Sequence, residues 1–139
     1  MIIGYTTGVF DLFHVGHLNI LKRAKAQCDF LIVGVSTDEL VQSYKHKPPV
    51  VPYEERVAIV EAIKYVDKVV PQTSMDKMAA WNKMHFDVVF HGNDWQNSSL
   101  YAEYEKQFAD VGVSLVYFEY TEGVSSTILR EKVLKEKKE

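Results

Sequence analysis

The sequence predicts one α/β domain built on a Rossmann-like, doubly wound parallel sheet of five strands. Three observations predict it. Short β-branched runs alternate with amphipathic helical runs along the chain. The strand-type runs are continuously apolar, as strands covered on both faces are. The chemically unusual residues gather where those runs end, and open α/β sheets bind ligands there.

Met1-Ile2-Ile3-Gly4-Tyr5-Thr6-Thr7 is the first strand signal, and Leu18 to Lys25 the first helical one. Phe30-Leu31-Ile32-Val33-Gly34-Val35-Ser36 is a second strand run, followed by Val66 to Val70, Asp87 to Phe90 and Val113 to Phe118. Between them, Tyr53 to Tyr65 carries Val57, Val60 and Ile63 at near-helical spacing. Met75 to His85 and Leu100 to Val111 are further helices, and a last one begins near Ser125 with Ile128, Leu129 and Val133. Its end, Lys135 to Glu139, is charged. Such alternation implies parallel strands joined by right-handed crossovers. The one long loop, Ser43 to Pro52, holds Lys45, His46, Lys47 and three prolines. Prolines limit its disorder yet leave it free to move as a lid.

A length of 139 residues fits a single domain, 1–139, and 47% hydrophobic residues suffice for one core. The net charge of −3 argues against a nucleic-acid partner. Cys28 is the single cysteine, which rules out an intramolecular disulfide and a multi-cysteine metal cage. No apolar run approaches the ~20 residues of a membrane span, and no signal-peptide-like segment opens the chain. A cytoplasmic protein without membrane contact is the expectation.

The richest stretch is Gly8-Val9-Phe10-Asp11-Leu12-Phe13-His14-Val15-Gly16-His17. It joins a strand signal to a helix start, where unpaired N–H groups and the positive dipole end favour an anion. Imidazoles at i and i+3 share a helical face, so His14 and His17 can grip one phosphate group. The pattern points to a nucleoside triphosphate. A zinc site needs three or four ligands, and His46, His85 and His91 offer no companion at metal spacing. Asp11 can reach Mg²⁺ carried by the nucleotide or cap a turn. Gly123 followed by Ser125, Ser126 and Thr127 reads as a second helix start able to hold phosphate.

His14-Val15-Gly16-His17 resembles the HxGH signature of nucleotidylyltransferases. The preceding Gly-Val-Phe-Asp-Leu-Phe resembles the GxFDxxH form of the cytidylyltransferase branch. Thr121 to Ile128 is similar to that branch's RTEGIST motif, with Tyr120 in place of arginine. Gly92-Asn93-Asp94-Trp95 resembles the GDDW of glycerol-phosphate cytidylyltransferases, with Asn93 replacing an aspartate. Glu54-Glu55-Arg56 and Lys64-Tyr65-Val66-Asp67 resemble YExR…RYVD, with Lys64 replacing arginine.

The resemblance implies transfer of CMP from CTP to a phosphorylated alcohol, glycerol 3-phosphate first, with Mg²⁺ and release of pyrophosphate. It implies catalytic roles for His14, His17, Lys45 and Lys47. CTP would be held by Gly8, Val9, Phe10, His14, Gly16, His17, Lys47, Gly92 and Asp94. The segment Tyr120, Thr121, Glu122, Gly123, Val124, Ser125, Ser126 and Thr127 would clamp it from the other side. The acceptor would meet Lys45, Asp11, Trp95, Arg56 and Lys64. A homodimer serving wall or capsule polymers is the family expectation. An enzyme using ATP or a sugar phosphate, and a nucleotide-binding protein without turnover, are the rival readings.

Overall fold

The computed structural model describes residues 1–92 and 99–119. They form β1 (Ile3–Gly8), α1 (Val15–Lys25), β2 (Phe30–Ser36), α2 (Asp38–Lys45) and α3 (Tyr53–Glu61). β3 (Lys68–Gln72), α4 (Lys77–Met84), β4 (Val88–Gly92), α5 (Ser99–Asp110) and β5 (Ser114–Phe118) follow. All pairings are parallel, in the order β3-β2-β1-β4-β5. The five-stranded α/β architecture predicted from the sequence is therefore present. The final helix expected from Ser125 lies outside the described residues.

Three aspartates stand just ahead of strands and bind backbone N–H groups of neighbouring strands. Asp29 accepts from Ile2 N–H at 2.7 Å, Asp87 from Ile3 N–H at 2.9 Å and Asp67 from Leu31 N–H at 2.8 Å. Asp67 also pairs with Lys25. These bonds pin the strand register at the amino ends of the sheet. The sheet separates two apolar layers. Leu21, Ala24 and Val60 pack with Leu31, Val33, Val35 and Phe90 on one face. Tyr5, Ile32, Val89, Phe86 and Phe108 pack with the α4 and α5 side chains Trp81 and Tyr104 on the other.

The structure differs from the sequence reading in the lysine segment. An additional helix, α2, was not predicted and runs as far as Lys45, so this lysine closes a helix instead of sitting within a loop. Thr37 caps its start by accepting from Leu40 N–H, and Asp38 and Glu39 occupy its first turn. His46, in the left-handed region at φ 59°, ends it. No helix among the described residues is long and apolar enough to cross a membrane.

β1 and β4 are neighbours, yet the chain leaves β1 toward β2 and β4 toward β5. The crossovers diverge there, which opens a crevice beyond the strand ends. Close packing at the opposite ends of these strands gives a test of the core. A Cβ on Gly4 would lie 2.8 Å from both Cys28 Sγ and the Phe90 ring. Gly4→Ala is expected to lower stability by about 1–3 kcal/mol through overpacking, read from the urea midpoint.

Candidate active site

The segment between β1 and α1 is held in an unusual conformation. Phe10 and Leu12 adopt left-handed backbone at φ 56° and 50°, although neither is glycine. Such residues persist only where surrounding structure over-determines them, and they cluster at functional sites. Phe10 is buried in the core, and its ring lies over Gly8, where a Cβ would approach it to 2.9 Å. Gly8 therefore permits the fold-back that shapes the loop.

The loop delivers His14 to the N-cap of α1. His14 Nδ1 accepts from Gly16 N–H at 3.0 Å, and His17 Nδ1 accepts from His14 N–H at 3.2 Å. The two rings stack with centroids 3.9 Å apart. Phe10 and Phe13 flank the His17 ring at 5.4 and 5.2 Å. Both Nδ1 atoms act as acceptors, so in the neutral rings the proton sits on Nε2. Burial, then the neighbouring His14, lowers the His17 pKa to about 4, although Asp11 opposes the shift. Burial lowers that of His14 as well. The sequence reading assigned the anion to unpaired N–H groups, the positive dipole end and the two imidazoles. The capping bonds occupy the Gly16 and His14 N–H groups, while the Nε2–H donors and the helix dipole remain attractive elements.

His17 lines a cavity of about 320 Å³ at the divergence of β1 and β4. Thr6 to Asp11 form one wall, and His91 and Gly92 border it from β4. Gly8, Val9, Phe10, His17, Lys45 and Gly92 of the sequence-predicted set thus converge. Two residues the sequence reading passed over lie here too. Lys77, at the start of α4, is 4% exposed and donates to Thr7 Oγ1 at 2.7 Å. Burial lowers its pKa to about 8, and among the described residues no carboxylate pairs with it. His91 is 8% exposed on β4. The available signals were a polar residue ending an apolar strand run and a lysine at a helix start beside strand ends.

Arg56 takes a different role from the predicted one. It is fully buried, neither a surface charge nor a cavity-lining group. Its Nε donates to Val51 O at 2.9 Å, and its Nη1 donates to Val9 O and Ser36 O, both at 2.7 Å. Nη2 pairs with Asp38 at 2.6 Å. Arg56 thereby ties the β1 loop, the end of β2, the start of α2 and the proline segment together. Asp11 lines the cavity, but its carboxylate oxygens accept from Val50 and Val51 N–H, each at 2.9 Å. The structure makes it a tether for the proline segment, and the Mg²⁺ role expected for Asp11 gains nothing from this geometry. Among the described residues no three His, Cys, Asp or Glu side chains cluster as a metal site.

Lys47 is exposed just past α2 and does not line the cavity. Lys64 is exposed ahead of β3, at the opposite ends of the strands, with its ammonium 5.3 Å from the Tyr65 ring. Within one chain, that position does not meet the cavity as the acceptor role requires. Asn93, Asp94, Trp95 and the segment Tyr120 to Thr127 lie outside the described residues.

Two outcomes test this frame. Arg56→Leu strands three carbonyls and Asp38, and should destabilise the fold by about 3–5 kcal/mol in urea unfolding. For His17, the unfolded ring takes up a proton below its ordinary pKa of 6.5, whereas the folded ring resists until about 4. The unfolded state then binds more protons, so stability falls as pH drops across that window. Unfolding free energy should be lower by about 2 kcal/mol at pH 5 than at pH 7.5 from this group, and His17→Gln should flatten the profile.

The matches to known proteins bear on the same residues. The cytidylyltransferase-like family model matches residues 5–132. Glycerol-3-phosphate cytidylyltransferase of Staphylococcus aureus is 36% identical over 129 residues, 92% of each chain. The Bacillus subtilis protein of the same name is 36% identical over 92% of this chain and 94% of its own. A lipopolysaccharide core biosynthesis protein from Thermoplasma volcanium superposes with a TM-score of 0.74 at 27% identity, covering 87% of this chain and 99% of its own. Matched over residues 5–132 and at 36% identity over most of its length, the chain belongs to the cytidylyltransferase-like family and is a nucleotidyltransferase.

Proposed function

We propose that the protein joins CMP from CTP to glycerol 3-phosphate, giving CDP-glycerol and pyrophosphate. The observation that carries this reading is the convergence of one buried lysine and one Nε2–H imidazole on a single cavity. A buried ammonium without a carboxylate partner is unfavourable until an anion meets it. The names of the bacterial relatives support the choice of nucleotide and acceptor.

In the reaction, an oxygen of the acceptor phosphate attacks the α-phosphorus of CTP. The bond from that phosphorus to the β-phosphate's bridging oxygen breaks, and pyrophosphate leaves. Such transfer needs positioning and charge stabilisation, not a protein nucleophile. His14 and His17 donate from Nε2 to phosphate oxygens as charge builds on the bridging and leaving groups. Lys77 holds the acceptor phosphate, Lys45 reaches it from the end of α2, and Lys47 meets the triphosphate. In this reading Asp94 and Tyr120 to Thr127 hold the nucleotide, and Trp95 meets the acceptor. Mg²⁺ arrives on the CTP phosphates and supplies further charge neutralisation there. Family likeness also supports a homodimer, a cytoplasmic location and a product used for wall or capsule polymers.

Pyrophosphate release with CTP or ATP against a panel of phosphorylated alcohols and sugars tests the reading. Turnover with CTP and glycerol 3-phosphate is expected, and preference for ATP overturns it. His17→Ala should reduce kcat by ~10²-fold or more, as loss of a charge-stabilising donor does. Lys77→Met should raise the KM for glycerol 3-phosphate by about tenfold or more, with the KM for CTP little changed. Acceptor affinity should weaken above pH 8, because the empty site's ammonium loses its proton near there. Lys77→Met should remove that pH dependence.

A further inference from the structure

One group in the cavity has no task in phosphate chemistry. His91 Nε2 is buried without a hydrogen-bond partner among the described residues. Nearby polar groups are satisfied: Thr6 Oγ1 donates to Phe90 O at 3.0 Å, and Ser36 Oγ donates to Gln72 Oε1 at 2.7 Å. A buried polar atom left unpaired is destabilising, so an orphan in a cavity wall calls for an explanation. The His91 ring is held edge-on against Tyr101, with centroids 5.1 Å apart and planes at 87°. It is therefore placed by packing, not free to turn toward another partner.

The surroundings select the partner. His91 and Lys77 line the same cavity, and burial, then the lysine's charge, holds the imidazole neutral, its pKa lowered to about 2. A cationic ligand group would face the repulsion of Lys77. An anionic group is drawn to Lys77 itself, where the charge is. A neutral imidazole nitrogen is instead matched to a hydroxyl, which can donate or accept. A ligand bearing both a phosphate and a hydroxyl satisfies Lys77 and His91 together.

We infer that His91 is an acceptor-specificity residue, its unpaired Nε2 hydrogen-bonding a hydroxyl of the phosphorylated alcohol whose phosphate Lys77 holds. The inference deepens the proposed cytidylyl transfer and rests on that reading for its acceptor class. A site built to pair a hydroxyl rejects an analogue lacking it far more strongly than an apolar pocket does. His91 thus favours polyol phosphates over alkyl phosphates and over phosphates of amino alcohols.

The test compares glycerol 3-phosphate with n-propyl phosphate, the same carbon chain without hydroxyls. Calorimetric binding and kcat/KM at saturating CTP are measured for the full chain and for H91M, H91F and H91Q. The wild type should prefer glycerol 3-phosphate by ~10²-fold. H91M should collapse that ratio to within about threefold by losing glycerol 3-phosphate alone, whereas H91Q, which can pair a hydroxyl, should retain most of it. CTP affinity reports whether each variant keeps its site, and H91F replaces H91M if that variant fails. A ratio equal in wild type and apolar variant overturns the inference, as does equal binding of the two probes by the wild type. Absence of pyrophosphate from wild type with CTP and glycerol 3-phosphate overturns the proposed reaction instead, and the binding ratio still reads His91.

Discussion

The buried guanidinium of Arg56 is the constraint on which the site depends. Four segments meet at the carboxyl ends of β1 and β2, and each presents a backbone carbonyl or carboxylate to it. Buried carbonyls need donors, and Arg56 supplies one to each of Val9, Ser36 and Val51. Arginine supplies five N–H groups in a fixed plane, and four bonds to different segments fix their relative positions. A lysine could not reproduce that fork. Asp11 works from the other side of the junction, accepting from two amides of the proline segment. Together they hold the β1 loop in its left-handed turns at Phe10 and Leu12. The strain of that loop is sustained by a charge that never touches the cavity.

On this frame the site combines neutral donors with a buried cation. Capping bonds and burial keep the His14 and His17 rings uncharged, with their protons on Nε2. Neutral donors fixed in place gain strength where charge develops, because the surrounding dipoles need no reorganisation. Lys77 is different: its charge attracts an anion before any chemistry occurs. In the proposed reaction, this division separates orientation of the reacting phosphates from capture of the acceptor.

Much of this was legible from the sequence, for identifiable reasons. The central strand β2 was readable because it is covered on both faces, so Phe30 to Ser36 is a largely apolar run with limits found unchanged. The partly exposed edge strand β3 instead runs Lys68–Gln72 in place of the expected Val66 to Val70. The histidine pair was readable as a helix start because capping acts over two to three residues. Arg56 was not, because its partners at Val9, Ser36, Asp38 and Val51 come together only through the crossovers. A guanidinium among glutamates on a helix carries the same local signature whether it faces solvent or fills the core. Pro48, Pro49 and Pro52 mark a loop, but Thr37 with Asp38 and Glu39 forms a helix start ahead of it, so α2 runs to Lys45 before the prolines begin. Lys77 and His91 become neighbours only when α4 crosses back over the sheet to bring β4 beside β1.

The net charge of −3 misleads if read as the field at the site. The sheet distributes its charges by end. Asp29, Asp67 and Asp87 sit at the amino ends, where they bind strand amides and Lys25. Lys45, Lys77 and the amino end of α1 gather at the carboxyl ends around the cavity. Of the carboxylates at this end, Asp38 is paired with Arg56, and Asp11 accepts from two amides of the proline segment. Low-dielectric walls focus the remaining positive potential into the crevice instead of spreading it over the surface. An acidic protein can therefore draw a compact polyanion into one pocket. That arrangement suits a nucleoside triphosphate and a small phosphate ester, and it is set by the strand order before any catalytic residue is considered.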